Sequence, residues 1–154
     1  MRMTTLYVVA AFCVTLAVGA AFLNGPSGTL FADDRSPQDE EAAKDLAQRL
    51  IGTWVLEEAK TVGSPSGVGR RLKFFTGTHW CITQPDPKTG EVVFHHGGRY
   101  TLDGGTLKTT REFAAESTKS VIGSSGAFTI RIAGDTLKQA DADGVFNETW
   151  KRVK

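Results

Sequence analysis

The sequence predicts an all-β domain in which eight or nine antiparallel strands form an up-and-down barrel behind one short helix. From Gly52 onward, short runs rich in Val, Ile, Thr, Phe, Tyr and Trp alternate with glycine-containing turns about every ten residues. Several of these turns hold Asp-Gly or Gly-Asp pairs, which favour tight hairpins. The chain has 154 residues, of which 40% are hydrophobic, and this is enough apolar material for a single core.

Residues 1–32 are predicted to form a signal peptide or membrane anchor followed by a tether. Arg2 precedes an uncharged apolar run from Leu6 to Leu23, which is typical of an export signal. Because this run just reaches the length that spans a membrane, an uncleaved anchor is the alternative. In either case we expect the barrel domain, residues 33–154, to work outside the cytoplasm, where it is periplasmic, secreted or held at the membrane.

The barrel domain is predicted to begin with one helix. Ser36 offers a side-chain cap, Pro37 suits the first turn, and Asp39 is favoured there by the helix dipole. Apolar residues then recur at helical spacing as far as Gly52, where the helix should end. These residues are Ala43, Leu46, Ala47 and Leu50.

Nine strand candidates follow the helix. They cover residues 53–61, 70–75, 78–84, 91–96, 99–103, 106–113, 127–133, 136–141 and 145–153. A bulge at Gly97-Gly98 would merge two of them and leave eight, and residues 117–126 are not assigned to a strand. Such hairpins protect their edges by closing into a barrel or by stacking as a sandwich. An eight-stranded barrel has room for packed side chains or for one small ligand.

Charge and cysteine content exclude several functions. Beyond residue 32 the chain carries 17 acidic residues and 17 Lys and Arg residues, so it lacks the basic field that nucleic-acid binding requires. We therefore expect no nucleic-acid partner, and membrane contact only through the N-terminal segment. Cys81 is the single cysteine beyond the apolar run, which excludes an internal disulfide in the barrel and predicts a buried thiol on a strand.

Two motifs at the ends of the barrel domain carry a family resemblance. Gly52-Thr53-Trp54 directly follows the predicted helix, and the last strand ends in Glu148-Thr149-Trp150-Lys151-Arg152-Val153. The chain here resembles the calycins, the group of lipocalins and fatty-acid-binding proteins, whose first strand begins Gly-x-Trp. In calycins a basic residue of the last strand packs over that tryptophan. The resemblance therefore implies that Gly52, Trp54 and Arg152 close one end of the barrel.

Residues 45–154 resemble more closely the small exported bacterial proteins that have a lipocalin-like domain. The shared motifs include Gly97-Gly98-Arg99-Tyr100-Thr101-Leu102 and Gly134-Asp135-Thr136-Leu137-Lys138-Gln139. This resemblance implies the fold but lends no defined activity. Full-size lipocalins are longer and usually contain a disulfide, so no specific ligand is implied. Whether the smaller barrel encloses a cavity or is filled by its own side chains stays open.

Strand alternation, propagated from an inward Trp54, gives the candidate ligand-binding residues. They are Trp80, Phe94, Tyr100, Arg111, Phe128, Ile130 and Glu148. Arg111 and Tyr100 would orient the polar head of a mostly apolar ligand, because ligand sites combine apolar walls with a few fixed polar groups. The alternative is that the inward polar residues, Glu58 among them, lie solvated or paired at the rims of the barrel.

No catalytic or metal-binding residues are predicted. His95 and His96 point to opposite faces of a strand, so at most one of them can join His79 in binding one ion. The spacing of Glu58 or Glu148 relative to the histidines does not require acid–base chemistry, and no phosphate-binding loop or nucleophile motif is present. We therefore expect no cofactor and no enzyme activity.

The sequence predicts binding or carriage of a small hydrophobic or amphipathic molecule in a barrel cavity. The alternative is a structural or protein-interaction module of the cell envelope with a filled barrel.

Overall fold

The computed structural model describes residues 36–60 and 67–154, which belong to one compact unit, Asp34–Lys154. The signal or anchor predicted for residues 1–32 lies outside the described residues. Among the residues described, no helix is both long enough and apolar enough to cross a membrane.

Within the described residues, the domain contains one α-helix and nine strands. In chain order they are α1 (Pro37–Leu50), β1 (Gly52–Ala59), β2 (Leu72–Phe75), β3 (His79–Pro85), β4 (Val92–Asp103), β5 (Thr106–Thr110), β6 (Phe113–Ala114), β7 (Ser125–Ala133), β8 (Thr136–Ala140) and β9 (Asn147–Arg152). A short 3-10 helix, Glu116–Val121, lies between β6 and β7 in the segment that the sequence left unassigned.

Eight of the strands form a closed antiparallel barrel. Successive strands pair around the ring, β1 pairs with β9, and β3 pairs with β4, so no edge is left open in the ring. β6 is an extra two-residue strand that pairs with the middle of β4. The prediction of an eight- or nine-stranded barrel behind a short helix is thus confirmed, and the sandwich alternative is wrong.

β4 is continuous through Gly97-Gly98, so the strands predicted at 91–96 and 99–103 are one. The two glycines allow close approach of other backbone segments. A Cβ at Gly97 would lie 2.4 Å from the Trp80 carbonyl oxygen, and one at Gly98 would lie 2.3 Å from the Thr110 carbonyl oxygen. A larger residue at either position would force the strands apart.

The helix is capped as its sequence predicts, and its last turn is anchored by contacts that were not predicted. The Ser36 hydroxyl accepts a hydrogen bond from the Asp39 amide, and the Asp39 side chain accepts one from the Ser36 amide. At the other end Leu50 is fully buried, and Arg49 Nη2 donates to the Ile132 carbonyl at 2.5 Å. The last turn of the helix is therefore fixed to the end of the barrel at which β7 ends.

The inward face of β1 is predicted correctly as far as Leu56 and wrongly after it. Trp54 and Leu56 are fully buried, but the pairing of β1 with β9 shifts register between Leu56 and Glu58. This bulge turns Glu58 to solvent, and Ala59 packs against the core instead. A one-residue shift reverses the face that each later side chain occupies.

Candidate functional site

One end of the barrel is closed by stacking of Arg152 on Trp54. The Arg152 guanidinium carbon lies 4.1 Å from the centre of the indole ring, and its Nη1 donates to the Ile51 carbonyl at 2.9 Å. Trp54 Nε1 donates to the Leu50 carbonyl at 2.9 Å. Gly52 has a φ of 132°, and a Cβ there would lie 2.8 Å from Arg152 Nη1. These contacts join the helix end to the first and last strands.

The barrel contains a cavity of about 460 Å³, and neither Trp54 nor Arg152 of the closed end is part of its lining. Residues from seven strands, together with Arg71, Arg111, Val121 and Phe146 from the connecting segments, contribute to its lining. The lining residues are Arg71, Lys73, Phe75, Trp80, Ile82, Gln84, Phe94, His96, Leu107, Thr109, Arg111, Val121, Phe128, Gln139, Phe146 and Glu148. Eight of the sixteen lining residues are aromatic or aliphatic and eight are polar or charged, but most of the surface area of the wall is apolar.

Five of the seven candidate ligand-binding residues line this cavity: Trp80, Phe94, Arg111, Phe128 and Glu148. Tyr100 and Ile130 do not. The Tyr100 hydroxyl accepts a hydrogen bond from the Gly77 amide at 3.1 Å, and its ring packs edge-on against Phe75. Ile130 is buried in the core. Alternation identifies the inward face of a strand but not how far along the barrel axis a side chain lies.

A buried ion pair lies in the wall of the cavity. Lys73 Nζ is 3.5 Å from Glu148 Oε2 and donates to Gln139 Oε1 at 2.9 Å. The same Nζ lies 3.9 Å from the centre of the Trp150 ring, and Trp150 Nε1 donates to Glu148 Oε2 at 3.1 Å. Burial lowers the pKa of Lys73 to about 8, against the opposing effect of Glu148.

Arg71 and Arg111 bring two further positive charges to the cavity. Arg71 Nε donates to Gln84 Oε1 at 3.0 Å, and its guanidinium lies over the Phe94 ring at 4.7 Å. Arg111 Nη1 donates to Ser124 Oγ at 3.1 Å. Burial lowers the pKa of both guanidinium groups, but an arginine stays charged at neutral pH.

His96 is a titratable residue of the cavity wall that is uncharged at neutral pH. Burial, and then the positive charge of Arg111, lower the pKa of its imidazole to about 4. Its ring packs edge-on against Trp80 and Phe94, and within the described residues its buried Nδ1 has no hydrogen-bond partner. No group of three or more His, Cys, Asp or Glu residues in the described part of the chain is placed to hold a metal ion.

Cys81 lies on β3 between Trp80 and Ile82, which line the cavity, but is not itself part of the lining. It is half-buried, and burial raises the pKa of its thiol. The prediction of a buried thiol is therefore only partly met.

Several polar residues of the cavity wall were not identified from the sequence, and Lys73 on β2 is the most important of them. Lys73 stands directly opposite Trp54 in the β1–β2 pairing, so the two share the inward face. The apolar neighbours of Lys73, Leu72 and Phe74, are only half-buried. In this strand hydrophobicity therefore points to the wrong face, and only the register with Trp54 could have identified Lys73 as inward.

Comparison with known proteins supports the fold. No protein-family model and no curated protein matches the sequence significantly. A lipocalin-like protein from Bacteroides uniformis aligns with 68% of this chain and 98% of its own, with a TM-score of 0.52 and 15% identity. An uncharacterized protein from Bacteroides eggerthii aligns with 68% of this chain and 99% of its own, with a TM-score of 0.53 and 13% identity. At these identities the likeness shows the fold alone, which is a lipocalin-like barrel as the resemblance predicted.

Proposed function

We propose that this protein is a non-enzymatic binding protein that holds a small, mostly apolar molecule inside its barrel. The observation that carries the proposal is the cavity of about 460 Å³. Pockets that bind small molecules generally measure about 300–1,000 Å³ and combine apolar walls with a few fixed polar groups. The lining has this composition, and the lipocalin-like fold is one that suits a binding role.

The cavity favours binding over the alternative of a filled interaction module. Trp54, Leu56 and Trp150 are fully buried at the closed end of the barrel, whereas Trp80, Phe94 and Phe128 line the cavity instead of filling it. Protein interiors are normally packed to near-crystalline density. An aromatic-lined space of this size is therefore best explained by a molecule that occupies it.

The arrangement of polar groups favours binding over catalysis. His96 and Glu148 both line the cavity, which is the pairing that an acid–base enzyme would require. However, no hydrogen bond joins them among the interactions of the described residues, and Glu148 Oε2 is engaged by Trp150 and Lys73. Glu148 thus acts as a counterion within the wall.

Binding of the neutral fluorescent probe N-phenyl-1-naphthylamine tests the proposal. We expect the wild-type protein to bind the probe with an increase in fluorescence, and Thr109→Phe to weaken binding about tenfold or more, because one extra ring displaces ligand volume worth about 1–3 kcal/mol. Thr109 is 4% exposed and lines the cavity. The matched control is Thr129→Phe, at an exposed position on β7.

Two results would contradict this proposal. The first is a wild-type protein that binds no neutral probe and purifies from its own host with no small molecule detectable by native mass spectrometry. The second is equal probe binding by Thr109→Phe and wild type, which would place the probe elsewhere on the protein.

We also propose that the protein acts outside the cytoplasm. The support is the apolar run from Leu6 to Leu23 behind Arg2, which is typical of an export signal or anchor. Expressed in its own host, the protein should appear in the envelope or the medium. Mass spectrometry of its N-terminus would distinguish a cleaved signal from a retained anchor, and a soluble cytoplasmic product with Met1 or Arg2 intact would contradict the proposal.

A further inference from the structure

We propose that the molecule bound in the barrel is an amphipathic anion, whose acidic group lies among Arg71, Lys73 and Arg111 and whose apolar body lies against the aromatic wall. This inference rests on the proposed binding function and specifies the chemical class of the ligand. The acidic group is a carboxylate, sulfonate or sulfate, all of which guanidinium and ammonium donors bind in the same way.

The first observation is the imbalance of charge in the cavity. Among the described residues that line it, three side chains are cationic and only Glu148 is anionic. Burying several charges of the same sign together is costly, and the cost falls when an opposite charge is brought into the same low-dielectric space.

The second observation is that the single carboxylate is already engaged. Glu148 Oε2 accepts a hydrogen bond from Trp150 Nε1 and lies 3.5 Å from Lys73 Nζ. Arg111 has Ser124 as its hydrogen-bond partner, and no carboxylate pairs with it in the described part of the chain. At least one guanidinium at the cavity therefore has no carboxylate partner among the described residues.

The third observation is that the electrostatic effects of the three cations overlap inside the cavity. The positive charges of Arg111, Lys73 and Arg71 all lower the pKa of His96, which lies in the same cavity wall. The positive charges of Arg71 and Arg111 likewise lower the pKa of Lys73. Because all three cations line one cavity, an acidic group placed in it would be attracted by each of them.

The apolar remainder of the ligand follows from the rest of the lining. Trp80, Phe94, Phe128 and Phe146 contribute aromatic surface around the charged groups. Phe146 is 43% exposed as well as part of the lining, so the apolar surface continues from the cavity to solvent. A small inorganic anion would leave this surface unused, whereas an amphiphile would cover it.

A pair of probes that differ mainly in charge tests this inference. The pair is 1-anilinonaphthalene-8-sulfonate and N-phenyl-1-naphthylamine, which share a ring system and differ by one sulfonate. We expect the sulfonate probe to bind at least about tenfold more tightly, since hydrogen bonds to charged groups contribute about 1.5–3 kcal/mol. A purely apolar cavity would prefer the neutral probe.

Arg111→Met is the decisive variant, and Arg131→Met is its matched control. Arg111 lines the cavity, whereas Arg131 is exposed on the outer face of β7. We expect Arg111→Met to lower the ratio of sulfonate-probe affinity to neutral-probe affinity about tenfold. Arg131→Met should leave this ratio as in the wild type. Because the measured quantity is a ratio, a general loss of folded protein does not imitate the result.

The titration of Lys73 supplies a second readout of the same ratio. Glu148, Arg71, Arg111 and His96 are the titratable or charged groups that act on Lys73 or lie beside it in the cavity wall. The pKa of Lys73 is about 8 and that of His96 is about 4, and arginine stays charged. Raising the pH from 7 to 10 therefore removes the Lys73 charge, and the ratio should fall several-fold.

The outcomes separate the two proposals. If the wild type binds neither probe, the proposed binding function is wrong. If it binds both but prefers the neutral probe, or if Arg111→Met and raised pH leave the ratio unchanged, the protein is a binding protein whose ligand is not an anion.

Discussion

Trp54→Ala is expected to lower the free energy of unfolding by about 3–5 kcal/mol, the range found for buried aromatic residues replaced by alanine. Trp54 is fully buried, carries the Arg152 guanidinium on its ring, and donates through Nε1 to the Leu50 carbonyl. The substitution removes the indole from the core, and it removes the surface on which the last strand and the helix end meet. Denaturant unfolding followed by circular dichroism measures the loss.

Two variants show which part of this loss is specific to Trp54. Trp54→Phe keeps an aromatic face for Arg152 but loses the donor to Leu50, so its loss should be smaller than that of Trp54→Ala. Val93→Ala removes an apolar side chain that is 44% exposed and should change stability by less than about 0.5 kcal/mol. A Trp54→Ala protein as stable as the wild type would contradict the assignment of Trp54 as the closure of the barrel.

The fold could be predicted from the sequence because its signals are local. Residues that are adjacent in sequence determine the Gly-containing turns, the alternating strands and the Ser36 cap of the helix. The Gly-Thr-Trp motif at residues 52–54 also identifies the closed end of the barrel without knowledge of the register. The turns, strands and cap depend on residues close in sequence. The contact between Trp54 and Arg152 is long-range, but the Gly-Thr-Trp motif indicates it.

The cavity was only partly predictable because its polar wall depends on register and depth. Lys73 faces inward since it pairs opposite Trp54, although its strand is more apolar on the other face. Glu58 faces solvent because of a bulge that the sequence does not signal. Tyr100 shares the inward face but reaches Gly77 instead of the cavity. The first two outcomes follow from pairing between strands and the third from position along the barrel axis, and alternation within one strand reveals neither.

The titration of Lys73 in the buried ion pair should change stability and anion binding in opposite directions as the pH rises. The wall holds Lys73, whose burial lowers its pKa to about 8, together with two arginines. An unfolded lysine has a pKa of about 10.4, so between pH 8 and 10 the unfolded chain binds more protons than the folded one. The Lys73 contribution therefore makes the folded state more stable as the pH rises through this window, while anion binding should weaken.

Lys73→Met is expected to destabilise the protein by about 3–5 kcal/mol, because it leaves Glu148 buried without its ammonium partner. Lys73 and Glu148 are only 4% and 5% exposed, so solvation by water compensates little of the lost interaction. Glu148→Gln should also destabilise, since Lys73 then loses its counterion. In the double variant both charges are removed, and we expect it to lose less stability than the sum of the two single losses, by about 0.5–3 kcal/mol.

Urea unfolding of the four proteins at pH 7 and pH 10 measures this cycle. The difference in stability between the wild type and Lys73→Met should grow at pH 10, because only the wild type has the lysine whose deprotonation favours the folded state. Two results together would mean that Lys73 and Glu148 do not interact. The first is a double variant whose loss of stability equals the sum of the two single losses. The second is a stability difference between the wild type and Lys73→Met that is the same at pH 7 and pH 10. The positive charge that we assign to the anion site would then have no counterion in the wall.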